Sequence, residues 1–420
     1  MVTKPTTIYI NKFEQLQQML SLLRSADTLF VDTEFHREAT YWPQFALMQI
    51  AARSSGGELL CYLIDPVTTA PLEPLWELLS SPDQLKVFHA ARQDVEIIHH
   101  LSGRLPTPLF DTQVAAALLG YGQQIGFGAL VQQLTGVTLA KQATFTDWMK
   151  RPLSRGQQQY AADDVIHLMP VYAHLREQLQ ARGRDAWLDD EQQSLTDPDT
   201  YDMAVDTIFW RTKGCNRLKP KQLAVLRSLA AWREQAARRR DLPRRRLLGD
   251  ESMVELARQE QLDHQRLAAI RGVSTGLVRR FGDEIVAAWR EGVACPKADW
   301  PQRSKTPLHT TGSGSRAEML TALLQLKADM LDIAPAILAS RSDIAALASW
   351  GGLERGGELP DLRILKGWRR ALIGDDLLNM LAGRIALSID PTTKMPVIVP
   401  HKRADLIAKS PSIESVLNDE

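Results

Sequence analysis

Two acidic residues stand two apart in an apolar run, Phe30-Val-Asp-Thr-Glu34, of this 420-residue chain. Alternation along a strand turns Asp32 and Glu34 to one face and Thr33 to the other. Carboxylates held side by side repel unless a cation lies between them. A third acid, Asp94, stands near the start of a predicted helix that follows the strand Lys86–His89. A fourth, Asp164, comes four residues after Tyr160 on a helix predicted to open at Ser154. That spacing stacks phenol and carboxylate one turn apart on one face, and Asp163 points about 100° away. An all-oxygen ligand set selects hard divalent cations, Mg²⁺ or Mn²⁺, and such cations hydrolyse phosphodiester bonds. Each motif alone also reads as a helix cap or an ion-pair partner; their order and apolar contexts make the joint signal. His36 and His89 are polar neighbours, and His89 suits a core position equally well.

The elements that must position these groups follow from periodicity. Asn11 is placed to cap a helix over about 12–24, with Leu16, Leu20 and Leu23 at helical spacing. Three extended segments follow, Thr28–Thr33, Phe45–Ala52 and Leu59–Asp65, and their short connections favour an antiparallel meander. A helix at about 72–80, the strand Lys86–His89, a helix at about 92–102 and a short strand Leu109–Asp111 come next, and helices dominate to about 192. This order predicts a mixed α/β sheet with helices on both faces.

Composition bounds the rest. A 44% hydrophobic, 24% charged chain of this length is ordinary for two or three globular domains. Zero net charge hides an asymmetry: residues 1–210 hold 15 Lys and Arg against 25 Asp and Glu, whereas residues 211–300 hold 20 against 11. An acidic half followed by a basic segment implies metal chemistry in one and polyanion contact in the other; a merely solvated basic helix is the plain alternative. Cys61, Cys215 and Cys295 form no CxxC pair, which indicates neither a zinc site nor a disulfide framework. No signal-peptide core and no run of about 20 apolar residues is present, so the expected location is the cytoplasm.

With the motifs in this order, the chain resembles the DEDD exonuclease superfamily, in its subgroup with a tyrosine in the third motif, and within it the ribonuclease D family. Asp32-Thr-Glu34 matches the first motif, Asp94 the second and Tyr160 with Asp164 the third; Thr146-Asp-Trp-Met-Lys-Arg-Pro-Leu153 is also similar. The resemblance covers about residues 5–205. It implies a ribonuclease-H-like fold and two divalent ions, with Asp32 shared, Glu34 and Asp164 completing the site of the attacking water, and Asp94 serving the leaving-group ion directly or through water. Tyr160 then orients the water, because a phenol titrating near 10 is a poor base. The implied activity is 3′→5′ trimming of single-stranded 3′ ends of precursor tRNAs, releasing nucleoside 5′-monophosphates. A DNA 3′→5′ exonuclease and a non-catalytic RNA-binding protein are the alternatives. No GxxxxGK[ST] is present to suggest a helicase.

The basic segment carries Arg233, Arg238, Arg239, Arg240, Arg244, Arg245 and Arg246, whose guanidinium groups suit phosphate contacts. Its Leu226…Trp232-Arg233…Asp241-Leu-Pro243…Asp250…Leu256-Ala257 resembles the HRDC domain. The expected organisation is an exonuclease domain over 1–205, a basic HRDC domain over 211–293, a linker over 301–315, a second HRDC-like all-α bundle over 316–388 and a loosely held tail over 389–420. Gly351-Gly and Gly356-Gly read as loops, and Trp350 and Trp368 as core or interface residues before base-stacking ones. RNA is the expected partner; no membrane and no obligate protein partner is expected.

Overall fold

The computed structural model describes residues 6–54, 56–140, 146–202, 204–302, 312–350 and 358–401. Most of the expected linker, the tail beyond 401 and the Gly351 and Gly356 pairs lie outside them. The chain forms two compact units. One comprises residues 1–112, 131–172 and 192–304, the other residues 113–130, 173–191 and 305–420.

The first unit is built on a six-stranded mixed sheet of order β1-β4-β3-β2-β5-β6. Its strands are β1 (Thr6–Ile10), β2 (Thr28–His36), β3 (Gln44–Arg53), β4 (Leu59–Ile64), β5 (Leu85–Phe88) and β6 (Leu109–Asp111). Strands β2, β3 and β4 form the expected antiparallel meander. The apolar run Ile8–Ile10 has no partner nearby in sequence, yet β1 pairs in parallel with β4. Helices α1 (Phe13–Leu23), α2 (Glu73–Leu79) and α3 (Arg92–Ser102) cover one face, packed on Leu29, Val31, Met48, Ile50, Tyr62 and Ile64. Helix α1 starts one residue later than expected, capped at Lys12 without a side-chain bond, while Asn11 donates its N–H to Gln15. On the other face Phe30 meets Tyr172 edge-on, and α6 (Arg155–Ile166) packs on β2, β3 and β4. Alternation along β2 thus sends Thr33 towards α3, and Asp32 and Glu34 towards α6.

Two local devices fix α6. Ser154 and Gln157 form a capping box, each side chain accepting the other's backbone N–H. Just upstream, Arg151 pairs with Asp65 at the end of β4 through bonds of 2.6 and 2.8 Å, and donates to the carbonyls of Ala46 and Trp148. Burial opposes ionisation of Asp65, but Arg151 and the Tyr9 hydroxyl hold its carboxyl below the usual range.

The rest of the unit is helical: α9 (Pro220–Arg240), α10 (Arg244–Leu247), α11 (Asp250–Arg258), α12 (His264–Ala269) and α13 (Thr275–Ala294), around a core that includes Leu226, Trp232, Met253, Ile285 and Trp289. Gly292 lets α13 cross α9 closely; a Cβ there would lie 2.4 Å from the Cα of Val225. Arg233 is buried and donates to the Leu248 carbonyl and to Asp250.

The second unit has its own core, with Leu320, Leu323, Leu338, Leu347, Ile364 and Leu377. Its main elements are α14 (Ser313–Leu331), α16 (Arg341–Ser349) and α18 (Asp375–Leu381). Arg369 is buried and bonds Glu191, Asp190 and the Ile337 carbonyl, while Trp368 stacks on Trp187 at 4.7 Å. Two expectations are corrected here. The region is not all-α, and the chain does not loosen at 389: β7 (Ile385–Ile389) pairs with β8 (Pro396–Pro400) as an antiparallel hairpin. Leu387 and Ile398 pack on the core and hold the hairpin there.

Arg151→Met leaves Asp65, 2% exposed, without its cation. We expect a stability loss of about 3–5 kcal/mol in urea unfolding; a loss under about 1 kcal/mol would show that the pair does not anchor the segment ahead of α6.

Candidate active site

Strand β2 outruns β5 at the site. Pairing between them ends at Phe30 and Val87, so the stretch that carries Asp32 and Glu34 extends past the end of β5. The first turn of α3 fills that gap and brings in Asp94, which is 6% exposed. Oxygen atoms of Asp32, Glu34 and Asp164 lie within 4.8 Å of one another. Asp94 is outside that trio but close enough for its charge to act on Glu34 and for the charge of Asp32 to act on it. Tyr160 hydrogen-bonds Asp164 across one helical turn, with its ring 6.1 Å from that of Trp148. Asp163 turns away, accepting from Gln159 at 2.8 Å.

Several positioning residues carry no signal of their own in the sequence. Thr33 donates its hydroxyl to Asp94 from the opposite face of β2. Asp111, at the end of β6, accepts the backbone N–H groups of Ala90 and Ala91 at 3.0 and 2.9 Å. Ala90 has φ of +59°, so these two bonds hold a strained turn that leads into α3. His89, a candidate already in the sequence, places its Nδ1 3.0 Å from the Thr112 hydroxyl. Arg37 grips Glu96 on α3 with two bonds of 2.7 Å.

Burial and mutual repulsion dominate the electrostatics of the cluster. Burial lifts the Asp32 carboxyl to about 7. Burial, then the charges of Asp32, Asp164 and Asp94, lifts Glu34 to about 10. Asp164 rises to about 9 through burial and the charge of Asp32, against the Tyr160 hydrogen bond. Asp94 is pushed well up by burial, then by Asp32. Gln49, the ladder partner of Asp32, is fully buried, and neither of its amide atoms has a hydrogen-bond partner among the described residues. Clustered hard oxygen donors beside an unsatisfied amide suit a divalent cation and its waters.

The arginines divide. Arg233, expected among the phosphate contacts, is instead buried in the helical core, where Leu248 and Asp250 take its donors. Arg238 and Arg244 bond Glu234 and the Tyr41 hydroxyl. Arg239, Arg240, Arg245 and Arg246 are exposed, although Arg240 lies 4.8 Å over the Phe281 ring and Arg239 is 3.7 Å from Glu284.

A mixed sheet of this order with carboxylates gathered at the end of β2, followed by an arginine-bearing helical bundle, defines a ribonuclease-H-like 3′→5′ exonuclease joined to an HRDC region. Residues 7–180 match the 3′-5′ exonuclease family and residues 222–289 the HRDC domain. Ribonuclease D of Granulibacter bethesdensis is 40% identical over 92% of this chain and 95% of its own, and that of Bartonella henselae 38% identical over 90% of each. The crystal structure of Escherichia coli RNase D, an exoribonuclease involved in structured RNA processing, is 29% identical with a TM-score of 0.77, over 90% of this chain and 99% of that one. The chain belongs to the ribonuclease D family and is a 3′→5′ exoribonuclease. Its fold implies use of divalent metal. No helix among the described residues is long and apolar enough to cross a membrane.

Raised carboxyl pKa values mean that the folded, metal-free protein binds more protons than the unfolded chain above about pH 4. The stability they contribute is complete below about pH 4 and is lost as pH rises through about 7 to about 10. We therefore expect Mn²⁺ to raise the melting temperature more at pH 8.5 than at pH 5.5, and Glu34→Gln to raise that of the metal-free protein at pH 8.5 by about 1–2 °C per kcal/mol relieved. Calorimetric scans decide; a metal effect that shrinks as pH rises would contradict the reading.

Proposed function

We propose that Asp32, Glu34, Asp94 and Asp164 hold two divalent ions, Mg²⁺ or Mn²⁺, at which this exoribonuclease trims the 3′ ends of precursor tRNAs to nucleoside 5′-monophosphates. The carrying observation is the convergence of Asp32, Glu34 and Asp164 oxygens within 4.8 Å, with Asp94 alongside. Bound ions would supply Lewis acidity to the attacking water and the departing 3′-oxygen. Within the chain, Asp32 stands centrally, since its charge acts on Glu34, Asp94 and Asp164 alike. Tyr160, bonded to Asp164, is placed to orient the water and not to deprotonate it. Asp94, which accepts the Thr33 hydroxyl, would serve the leaving-group ion directly or through water.

In this reading residues 1–205 form the catalytic domain and 211–293 the HRDC domain. Residues 316–388, with the adjoining hairpin, act as a second HRDC-like module. Exposed Arg239, Arg240, Arg245 and Arg246 contact RNA phosphates, and the protein works in the cytoplasm.

An end-labelled tRNA precursor and a sequence-matched DNA oligonucleotide, each with Mg²⁺, Mn²⁺ or chelator, test the substrate and the ions. The expected result is stepwise 3′ shortening of the RNA only, abolished by chelator and by Asp32→Ala or Asp164→Ala with folding intact. Wild-type rates in either variant refute the site, and equal DNA cleavage refutes RNA preference. Replacing Arg239, Arg245 and Arg246 together with Ala should reduce the slope of log affinity for RNA against log salt by about 2; an unchanged slope argues against phosphate contact.

A further inference from the structure

The loop that leaves the metal-binding strand does not end in solvent. Residues 37–43 join β2 to β3, beginning three residues after Glu34, and β2 is irregular between Glu34 and Phe35. Three attachments hold this loop. Arg37 grips Glu96, two residues beyond Asp94 on α3. Trp42 stacks flat on His100 of the same helix, with ring centroids 3.6 Å apart and planes within 7°. Tyr41 enters the hydrophobic core of the helical bundle.

There its hydroxyl donates to Glu234 of α9, a side chain 1% exposed. Arg238 and Arg244 close around the pair: both donate to Glu234 and to the Tyr41 oxygen, at 3.0–3.2 Å for Arg238 and 3.0 Å from Arg244 to Tyr41. Burial opposes the Glu234 charge, yet Arg244, Tyr41 and Arg238 keep it ionised below its ordinary range. Asp241, in the left-handed conformation with φ +49°, ends α9 and accepts the N–H groups of Tyr41 and Trp42 at 3.0 and 2.9 Å. A buried carboxylate with two guanidinium partners and a tyrosine is a rigid fixture, since releasing any member leaves charge unpaired.

We propose that the Tyr41–Glu234–Arg238–Arg244 cluster is a positioning device of the active site: the helical domain braces the outgoing end of β2 and thereby fixes Asp32 and Glu34 against Asp94. Two of the arginines that the sequence offers to RNA are thus engaged with the catalytic strand. Tyr41 and Glu234 touch neither substrate nor ion; they act through the backbone of residues 32–41. Four mutually repelling acids need that backbone held, because small displacements at a reacting centre reduce rates steeply. The proposal rests on the metal-dependent reading of the acid cluster.

The test compares full-length wild type, Glu234→Gln and Tyr41→Phe. The substrate is a mononucleotide p-nitrophenyl phosphodiester, which offers the arginines no second phosphate. We expect roughly tenfold lower kcat for Glu234→Gln with KM unchanged, a similar rise in the Mn²⁺ concentration giving half-maximal binding in calorimetry, and faster amide exchange over 33–41. Tyr41→Phe, isosteric and less disruptive, should shift all three in the same direction. If Tyr41→Phe, folded by its thermal melt, matches wild type within twofold in kcat and Mn²⁺ affinity with unchanged exchange, the cluster is only a tether and the proposal falls. Wild-type turnover that ignores chelator would instead overturn the metal reading beneath it.

Discussion

Like-charge repulsion among half-buried acids is the constraint around which the first unit is organised. Asp32, Glu34 and Asp164 place oxygens within 4.8 Å, with Asp94 at their side; burial pushes each upward, and the charge of Asp32 pushes Glu34, Asp94 and Asp164 further. An arrangement of this sort lowers the stability of the metal-free fold at neutral pH. It persists because surrounding bonds hold the backbone that carries each acid, and because a cation reverses the sign of the interaction.

Those holding bonds are themselves mostly buried ion pairs and charged hydrogen bonds. Arg151 with Asp65 anchors the approach to α6, Asp111 fixes the turn before α3, and Glu234 with Arg238 and Arg244 takes hold of the loop after β2. Each acts on or beside a different element: α6 carries Asp164, α3 Asp94, and β2 both Asp32 and Glu34. Such pairs are poor contributors to net stability when compared with apolar packing, but their geometry is specific and breaking one is expensive. Specific geometry is what a site that must keep acids within a few ångströms requires.

Part of this was legible in the chain. Asp32 and Glu34 announce a shared face because strand period is local, and Tyr160 with Asp164 because helix period is local. The meander was readable from short connections between apolar runs. What escaped depends on distant partners. Strand β1 is a short apolar run whose partner, β4, lies some 50 residues away. Of the hairpin, β7 lies in sequence that reads as the end of a helical bundle and β8 in sequence that reads as a loosely held tail. An arginine in a basic run looks the same whether it is exposed, as Arg246 is, or buried on Asp250, as Arg233 is. Tyr41, Asp111 and Thr33 are ordinary residues until the fold brings Glu234, the Ala90 turn and Asp94 to them.

We propose that four carboxylates from three separated stretches of chain share cations at one place. Crystals of the wild-type protein grown with Mn²⁺, measured at the manganese absorption edge, test it directly. Anomalous peaks are expected among the oxygens of Asp32, Glu34, Asp94 and Asp164. Manganese absent from those oxygens in crystals of active enzyme, or bound only elsewhere on the chain, would contradict it.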